Sequence, residues 1–182
     1  MWENRLINDN GSACKISVDG TDCPIQQPTP FWKGWYSHKF KGPGLRYEVA
    51  VSIQSSNIVA INGPYPCGQY PDITIFRSSL KEILEDAGER AEADKGYRGE
   101  PLTIDTPDDM IHTLSQKRKK ERVRARHEHC NRRLKHFACL KQTYRHSLST
   151  HGSVFRAVAV ITQLSFECEK KLWHVNYKTY SI

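Results

Sequence analysis

The stretch RYEVAVSIQSSNIVAING, residues 46–63, constrains the fold more than any other part of this chain. Tyr47, Val49, Val51 and Ile53 alternate with their neighbours, the two-residue period of a strand with one buried face. A turn at Ser55 to Asn57 leads into IVAING, so the stretch is an antiparallel hairpin. A hairpin is not stable by itself, and the rest of the chain must pack on it. Upstream, Ala13 to Asp19 reads as a buried strand bounded by an Asp-Gly turn signal. Between them, CPIQQPTPFWKGWYSHKFKGPG is rich in Pro, Gly and aromatics, and reads as an ordered loop with a short strand around Tyr36 to Phe40.

After the loop GPYPCGQYP the period changes. Ile73, Phe76, Leu80, Ile83 and Leu84 mark an amphipathic helix, with Asp72 placed as its N-cap and Gly88 as its stop. A short strand from Arg90 to Ala93 precedes Asp94, and KGYRGEP turns the chain. Ile104 to Ile111 is ambiguous, with Thr106-Pro107-Asp108 opening a helical turn. A long helix runs from Ser115 to His146 on a seam of Val123, His127, Cys130, Leu134, Phe137 and Tyr144. Another covers Val154 to Leu164, with Val154, Val158, Ile161 and Leu164 inward. Residues 1–12 read as a ragged lead-in, 13–168 as one α/β domain, and 169–182 as a tail whose KLWHVNY suits an edge strand. The length of 182 residues agrees with one domain.

Charge is segregated. Asp72 to Asp109 carries eleven Asp/Glu against five Lys/Arg, while His112 to His146 carries twelve Lys/Arg against two Glu. A basic block of this kind suits either a polyanion such as nucleic acid or a solvated helix face. The six cysteines form no C-x-x-C pair and read as reduced thiols of an intracellular protein, without a zinc site or disulfide framework. No apolar run approaches the length of a membrane span, and MWENRLINDN has no signal-peptide character.

Three carboxylates stand out by position. Asp19 closes the first strand, Asp94 follows the fourth, and Glu128 shares a helical stripe with Arg124, Asn131 and Lys135. Two of them have a plain alternative: a turn residue for Asp19, and a helix salt-bridge partner for Glu128. Together they match what a two-metal phosphoryl-transfer site needs, which is hard oxygen ligands converging from different elements.

Five stretches in order resemble the catalytic domain of eukaryotic Harbinger-type DDE transposases: VDGTDCPIQQP, GPYPCGQYPDITIFRSSL, ADKGYRGEP, RARHEHCNRRLKHF and FRAVAVITQL. The resemblance runs from Ile16 to about Glu167. It implies a ribonuclease H-like fold, a mixed five-stranded sheet flanked by helices with acidic residues at strand ends. It also implies catalytic Asp19, Asp94 and Glu128, with Asp72 as a further acidic position near the metal, and two Mg²⁺ or Mn²⁺ ions as cofactors. Thirty-three residues separate Asp94 from Glu128, a spacing usual in such enzymes. Related insertion-sequence transposases carry Tyr-x2-Arg-x3-Glu-x6-Lys; Arg124, Glu128 and Lys135 match it, while Glu121 stands at the tyrosine position. Asp22 stands where the family often has His and reads as a surface carboxylate without a catalytic role.

The implied substrate is double-stranded DNA at transposon ends. Lys117, Arg118, Lys119, Lys120, Arg122, Arg124, Arg126, Arg132 and Lys135 are its expected contacts. Lys95, Tyr97 and Arg98 after Asp94, and His38, Lys39 and Lys41 in the aromatic loop, are further phosphate or groove candidates, with turn and loop roles as alternatives. The resemblance further implies a nuclear location, a helper DNA-binding protein, assembly as a homo-oligomer on DNA and no membrane. The family's N-terminal DNA-binding region has no counterpart ahead of the first strand, which leaves a truncated or retired DNA-binding copy as the second reading. A third is an RNA-binding α/β module that stacks bases on Phe31, Trp32, Trp35 and Tyr36.

Overall fold

A computed structural model describes residues 1–107, 114–168 and 171–175. The strands are β1 (Cys14–Pro24), β2 (Tyr36–Ser37), β3 (Gly42–Ser52), β4 (Ile58–Pro66), β5 (Arg90–Glu92) and β6 (Ile104–Asp105). The helices are α1 (Asp72–Ser78), α2 (Leu80–Ala87), α3 (Leu114–Leu134), α4 (Ala138–Lys141) and α5 (Leu148–Cys168). One mixed sheet runs β4-β3-β1-β5-β6, with the two-residue β2 beside the start of β3. β4, β3 and β1 pair antiparallel, and β1, β5 and β6 pair parallel. The hairpin read from the sequence is β3-β4, at the antiparallel edge.

Side-chain alternation gives the sheet two apolar faces. Ile16, Val18 and Ala50 pack under Phe76, Leu80 and Leu84 of α1 and α2. Tyr47, Val49 and Val51 pack under Cys130 and Leu134 of α3 and Phe155 and Phe166 of α5. The Tyr47 and Phe155 rings stack at 3.8 Å between centroids. Each such fully buried side chain contributes about 1.5–3 kcal/mol, so helices are held on both faces.

Several expectations change. β1 does not stop at Asp19; it continues to Pro24 on its partner β3. What stops is the other neighbour, β5, whose pairing with β1 ends at Ser17 opposite Glu92. The helix after Asp72 breaks at Ser79, whose hydroxyl lies 2.8 Å from both Ile75 O of α1 and Glu48 Oε2 on β3. Asp72 makes no capping bond there, while Gly88 closes α2 in the left-handed conformation that lacks a Cβ penalty (φ 62°). The long helix ends at Leu134, because Tyr144 has to bond the end of β1 through its backbone, which a continuous helix cannot reach.

α5 is rotated from the expected seam. Its buried residues are His151, Gly152, Phe155, Val158, Ala159, Thr162 and Phe166, leaving Ile161 and Leu164 half exposed. Gly152 admits the Pro64 ring against the helix, and this close approach, rather than the largest aliphatics, sets the face. The lead-in is ordered: a 3-10 turn (Trp2–Leu6) places Arg5 Nε 2.7 Å from Glu89 Oε2. Residues 171–175 belong to no strand; the rest of the tail and the 108–113 segment lie outside the described residues.

Candidate metal centre

The parallel register builds the site. Ser17 and Glu92 are partners on neighbouring strands, so residues two further along, Asp19 and Asp94, point to the same side of the sheet. That side carries α3. Asp19, Asp94 and Glu128 line one small cleft together with Ser17, Val18, Glu92, Ala93, Arg124 and His127. Three separated segments thus bring the sequence-derived carboxylates together.

Each acid is fixed differently. Asp19 Oδ1 accepts from Gly20 N at 2.8 Å, and Oδ2 accepts from Asn131 Nδ2 at 2.9 Å. Burial pushes its carboxyl up to about 6; nearby Lys39 opposes the rise, and Asp94 and Asp72 add to it. Asp94 accepts from Gly96 N at 2.7 Å and so caps a 3-10 turn (Lys95–Tyr97). Glu128 is exposed on α3, one turn after Arg124. Asn131, a turn further on, was on the Glu128 stripe in the sequence but had no role assigned; its place on that stripe is the signal that could have found it. Lys39 donates to Gly20 O at 2.7 Å, which brings the aromatic loop to the cleft rim.

Asp72 approaches from the opposite face. Its Oδ1 lies 2.1 Å from where a Cβ on Gly20 would be, and its Oδ2 lies 3.2 Å from where one on Gly96 would be. Only glycine at residue 20 leaves that space. Arg46 Nη1 pairs with Asp72 at 3.3 Å, and burial raises the Asp72 carboxyl while Arg46 and Lys39 lower it. Asp72 therefore backs Asp19 and Asp94 without lining the cleft.

Other expectations are corrected by burial. Asp22 is not at the surface: it is 1% exposed, accepts two bonds from Arg46 at 2.7 and 3.0 Å, and accepts one from Ser37 Oγ at 2.6 Å. Those bonds hold its carboxyl low despite burial, which acts the other way. Tyr97 is wholly buried in the core and cannot reach a phosphate. Among the basic residues, Lys120 and Arg126 are removed from any DNA-facing surface. Lys120 is 4% exposed between Glu92 and Asp105, and Arg126 is 2% exposed, donating to the carbonyls of Ser52, Ser55 and Trp173. Lys117, Arg118, Arg122, Arg124 and Arg132 are exposed, and Lys119 and Lys135 are half-buried. Of the aromatic loop, Phe31 and Trp32 are exposed, whereas Trp35 packs against the core.

His127 was read as an apolar-seam residue and is one. Its Nδ1 lies 2.8 Å from Ser17 Oγ, and burial, with Arg126 beside it, pushes its pKa down to about 3, so the imidazole is neutral. All six cysteines are free thiols, four of them buried.

The geometry on its own describes an acid-rich cleft with an arginine at its edge. The family model for DDE superfamily endonucleases matches residues 18–163, which include Asp19, Asp94 and Glu128. The chain belongs to the DDE superfamily endonucleases. This DDE domain is also similar to the probable transposase for insertion sequence element IS702 of Microchaete diplosiphon, 29% identical over 143 residues. That match covers 71% of the chain and 49% of the transposase, so the chain spans about half the length of that relative. A 109-residue match at 29% identity to the genome polyprotein of hepatitis C virus genotype 6a (isolate EUHK2) covers 56% of the chain and 4% of the polyprotein, too small a part to bear on function. No solved structure matches the DDE chain. Among the described residues no helix is long and apolar enough to cross a membrane.

Proposed function

We propose that this chain is the catalytic domain of a Harbinger-like DNA transposase, cutting and joining DNA phosphodiesters with Mg²⁺ or Mn²⁺. The observation that carries the reading is the convergence of Asp19, Asp94 and Glu128 on one cleft beside Arg124. The strand order β4-β3-β1-β5-β6, antiparallel then parallel with helices on both faces, supports a ribonuclease H-like fold.

The donor set fits a hard divalent cation. Asp19, Asp94 and Glu128 supply carboxylate oxygens, and the repulsion from Asp94 that helps raise the Asp19 carboxyl is relieved by a positive charge. Asp19, Asp94 and Glu128 would hold the metal, and Asp72 is a further acid behind them whose charge adds to the repulsion that a cation would relieve. A bound pair of ions supplies Lewis acidity at the phosphate and a nucleophile at neutral pH. The chain's own residues do the positioning. Asn131 holds Asp19, the Gly96 amide holds Asp94, and Arg124 and Lys135 steer a phosphate oxygen toward the cleft. Lys117, Arg118, Lys119, Arg122 and Arg132 add affinity that depends on salt and not on sequence. A nuclear location, a helper DNA-binding protein and assembly as an oligomer on transposon ends follow from the same reading.

Mn²⁺ calorimetry on the wild type and on Asp94→Asn tests it, followed by DNA cleavage with the same pair. Binding and cleavage that both collapse in the variant support the reading. A folded wild type that binds duplex DNA but no Mn²⁺ would instead make this a DNA-binding protein without chemistry.

A further inference from the structure

A second acid-rich cluster lies on the same helix and strand as the cleft, but inside the protein. Glu92 of β5 and Asp105 of β6 are register partners in a parallel pair, so both carboxylates leave the sheet toward α3. A register shift between Cys14 and Ile16 brings the Cys14 thiol to the same place. One ligand atom from each of the three lies within 4.8 Å of the others, and none of the residues is more than 4% exposed. Two carboxylates facing each other on neighbouring strands, out of water, destabilise a sheet unless a cation joins them. Lys120 is that cation: its Nζ is 2.8 Å from Glu92 Oε1 and 2.7 Å from Asp105 Oδ1.

We propose that Lys120 is the resident cation of a preformed Cys14–Glu92–Asp105 site, standing where a divalent metal would otherwise bind. The proposal concerns a different set of ligands from the cleft and does not depend on the transposase reading. An ammonium is a compact point charge with three donors, the side chain best suited to replace an ion among carboxylates. Being tethered, it cannot be chelated or exchanged. Two consequences follow. Divalent ions are kept out of the interior even though Glu92 also lines the floor of the cleft. The first half of α3 is also anchored on β5 and β6, at a point about 12 Å along the helix from Glu128.

Cd²⁺ is the probe, because it accepts both thiolate and carboxylate ligands and a cadmium–thiolate bond absorbs in the ultraviolet. Cys139 and Cys168 are exposed and are replaced by serine in every variant. In Lys120→Ala, Cys14 gives its S–H proton to the buffer and forms a bond to Cd²⁺, with no change of oxidation state. The expected result is one Cd²⁺ per chain, the charge-transfer band, release of the Cys14 proton together with any proton the buried carboxylates hold, and a raised melting temperature. The background protein with Lys120 in place shows no Cys14-dependent band, and Lys120→Ala with Cys14→Ser shows none either. Should Lys120→Ala fail to fold without metal, refolding in Cd²⁺ is expected to recover it. A folded Lys120→Ala without the band, refolding that Cd²⁺ does not rescue, or a Cys14-dependent band with Lys120 present would each overturn the proposal. Failure of Mn²⁺ binding at Asp94 would overturn the transposase reading and leave this result standing.

Discussion

Two acidic clusters among the described residues share β1, β5 and α3, yet they solve opposite problems. The inner one, Glu92 and Asp105 with Cys14, is shut off from water and carries its own cation, Lys120. The outer one, Asp19, Asp94 and Glu128, opens to solvent and keeps an excess of negative charge. Two residues along the parallel register separate Glu92 from Asp94. A buried excess of like charge is costly to keep, so the fold sets a cation, Lys120, between the two carboxylates. An exposed one can be held by water, hydrogen bonds and Lys39 until an exchangeable ion binds.

The comparison can be broken in order of effect. Lys120→Ala, measured by urea unfolding in chelator, is expected to destabilise by about 3–5 kcal/mol, because it leaves buried carboxylates without their cation. Loss under about 1 kcal/mol would mean that the inner cluster does not need its lysine. Asp94→Asn, by contrast, is expected to leave the unfolding midpoint nearly unchanged while Mn²⁺ affinity and DNA cleavage fall by about 100-fold or more.

pH should separate the clusters further. The Asp19 carboxyl titrates near 6 in the folded chain against 3.8 for the ordinary group. The folded state therefore holds that proton more tightly, and this group's contribution to metal-free stability declines as pH rises from about 4 to 6. Metal competes with the same proton, so Mn²⁺ affinity should rise about tenfold from pH 5 to 7 and level off above. A flat profile by calorimetry would remove Asp19 from the ligands. The smallest effect is expected for Asn131→Ala, which frees Asp19 Oδ2: about a fivefold loss of Mn²⁺ affinity, with stability lowered by about 1 kcal/mol. An unchanged affinity would make the Asn131 bond a structural one only.

Much of the site was legible before the fold. Asp19, Asp94 and Glu128 were found because a strand, a strand end and a helix stripe each carried one acid at a meaningful place. The neighbours of those acids were not legible, since Asp72 reaches Gly20 across the sheet and Asn131 reaches Asp19 across 112 residues. Lys120 left a trace that was readable in hindsight. It lies three residues before Val123 and extends the buried series Val123, His127, Cys130 and Leu134 in steps of three and four. A charged residue at an apolar position was taken for part of the basic run because the carboxylates that hold it, Glu92 and Asp105, lie 28 and 15 residues away in sequence.

By itself the sequence determined the β3-β4 hairpin, the stop at Gly88, and which elements hold Asp19, Asp94 and Glu128. These follow from periods of two and 3.6 residues and from the backbone freedom of glycine, which are local physics. Only the tertiary structure decided that β1 runs past Asp19, that Asp22 lies buried against Arg46, and that Lys120 and Arg126 face inward. A cation's environment depends on which acids and carbonyls the sheet brings beside it, and those partners lie tens of residues away along the chain.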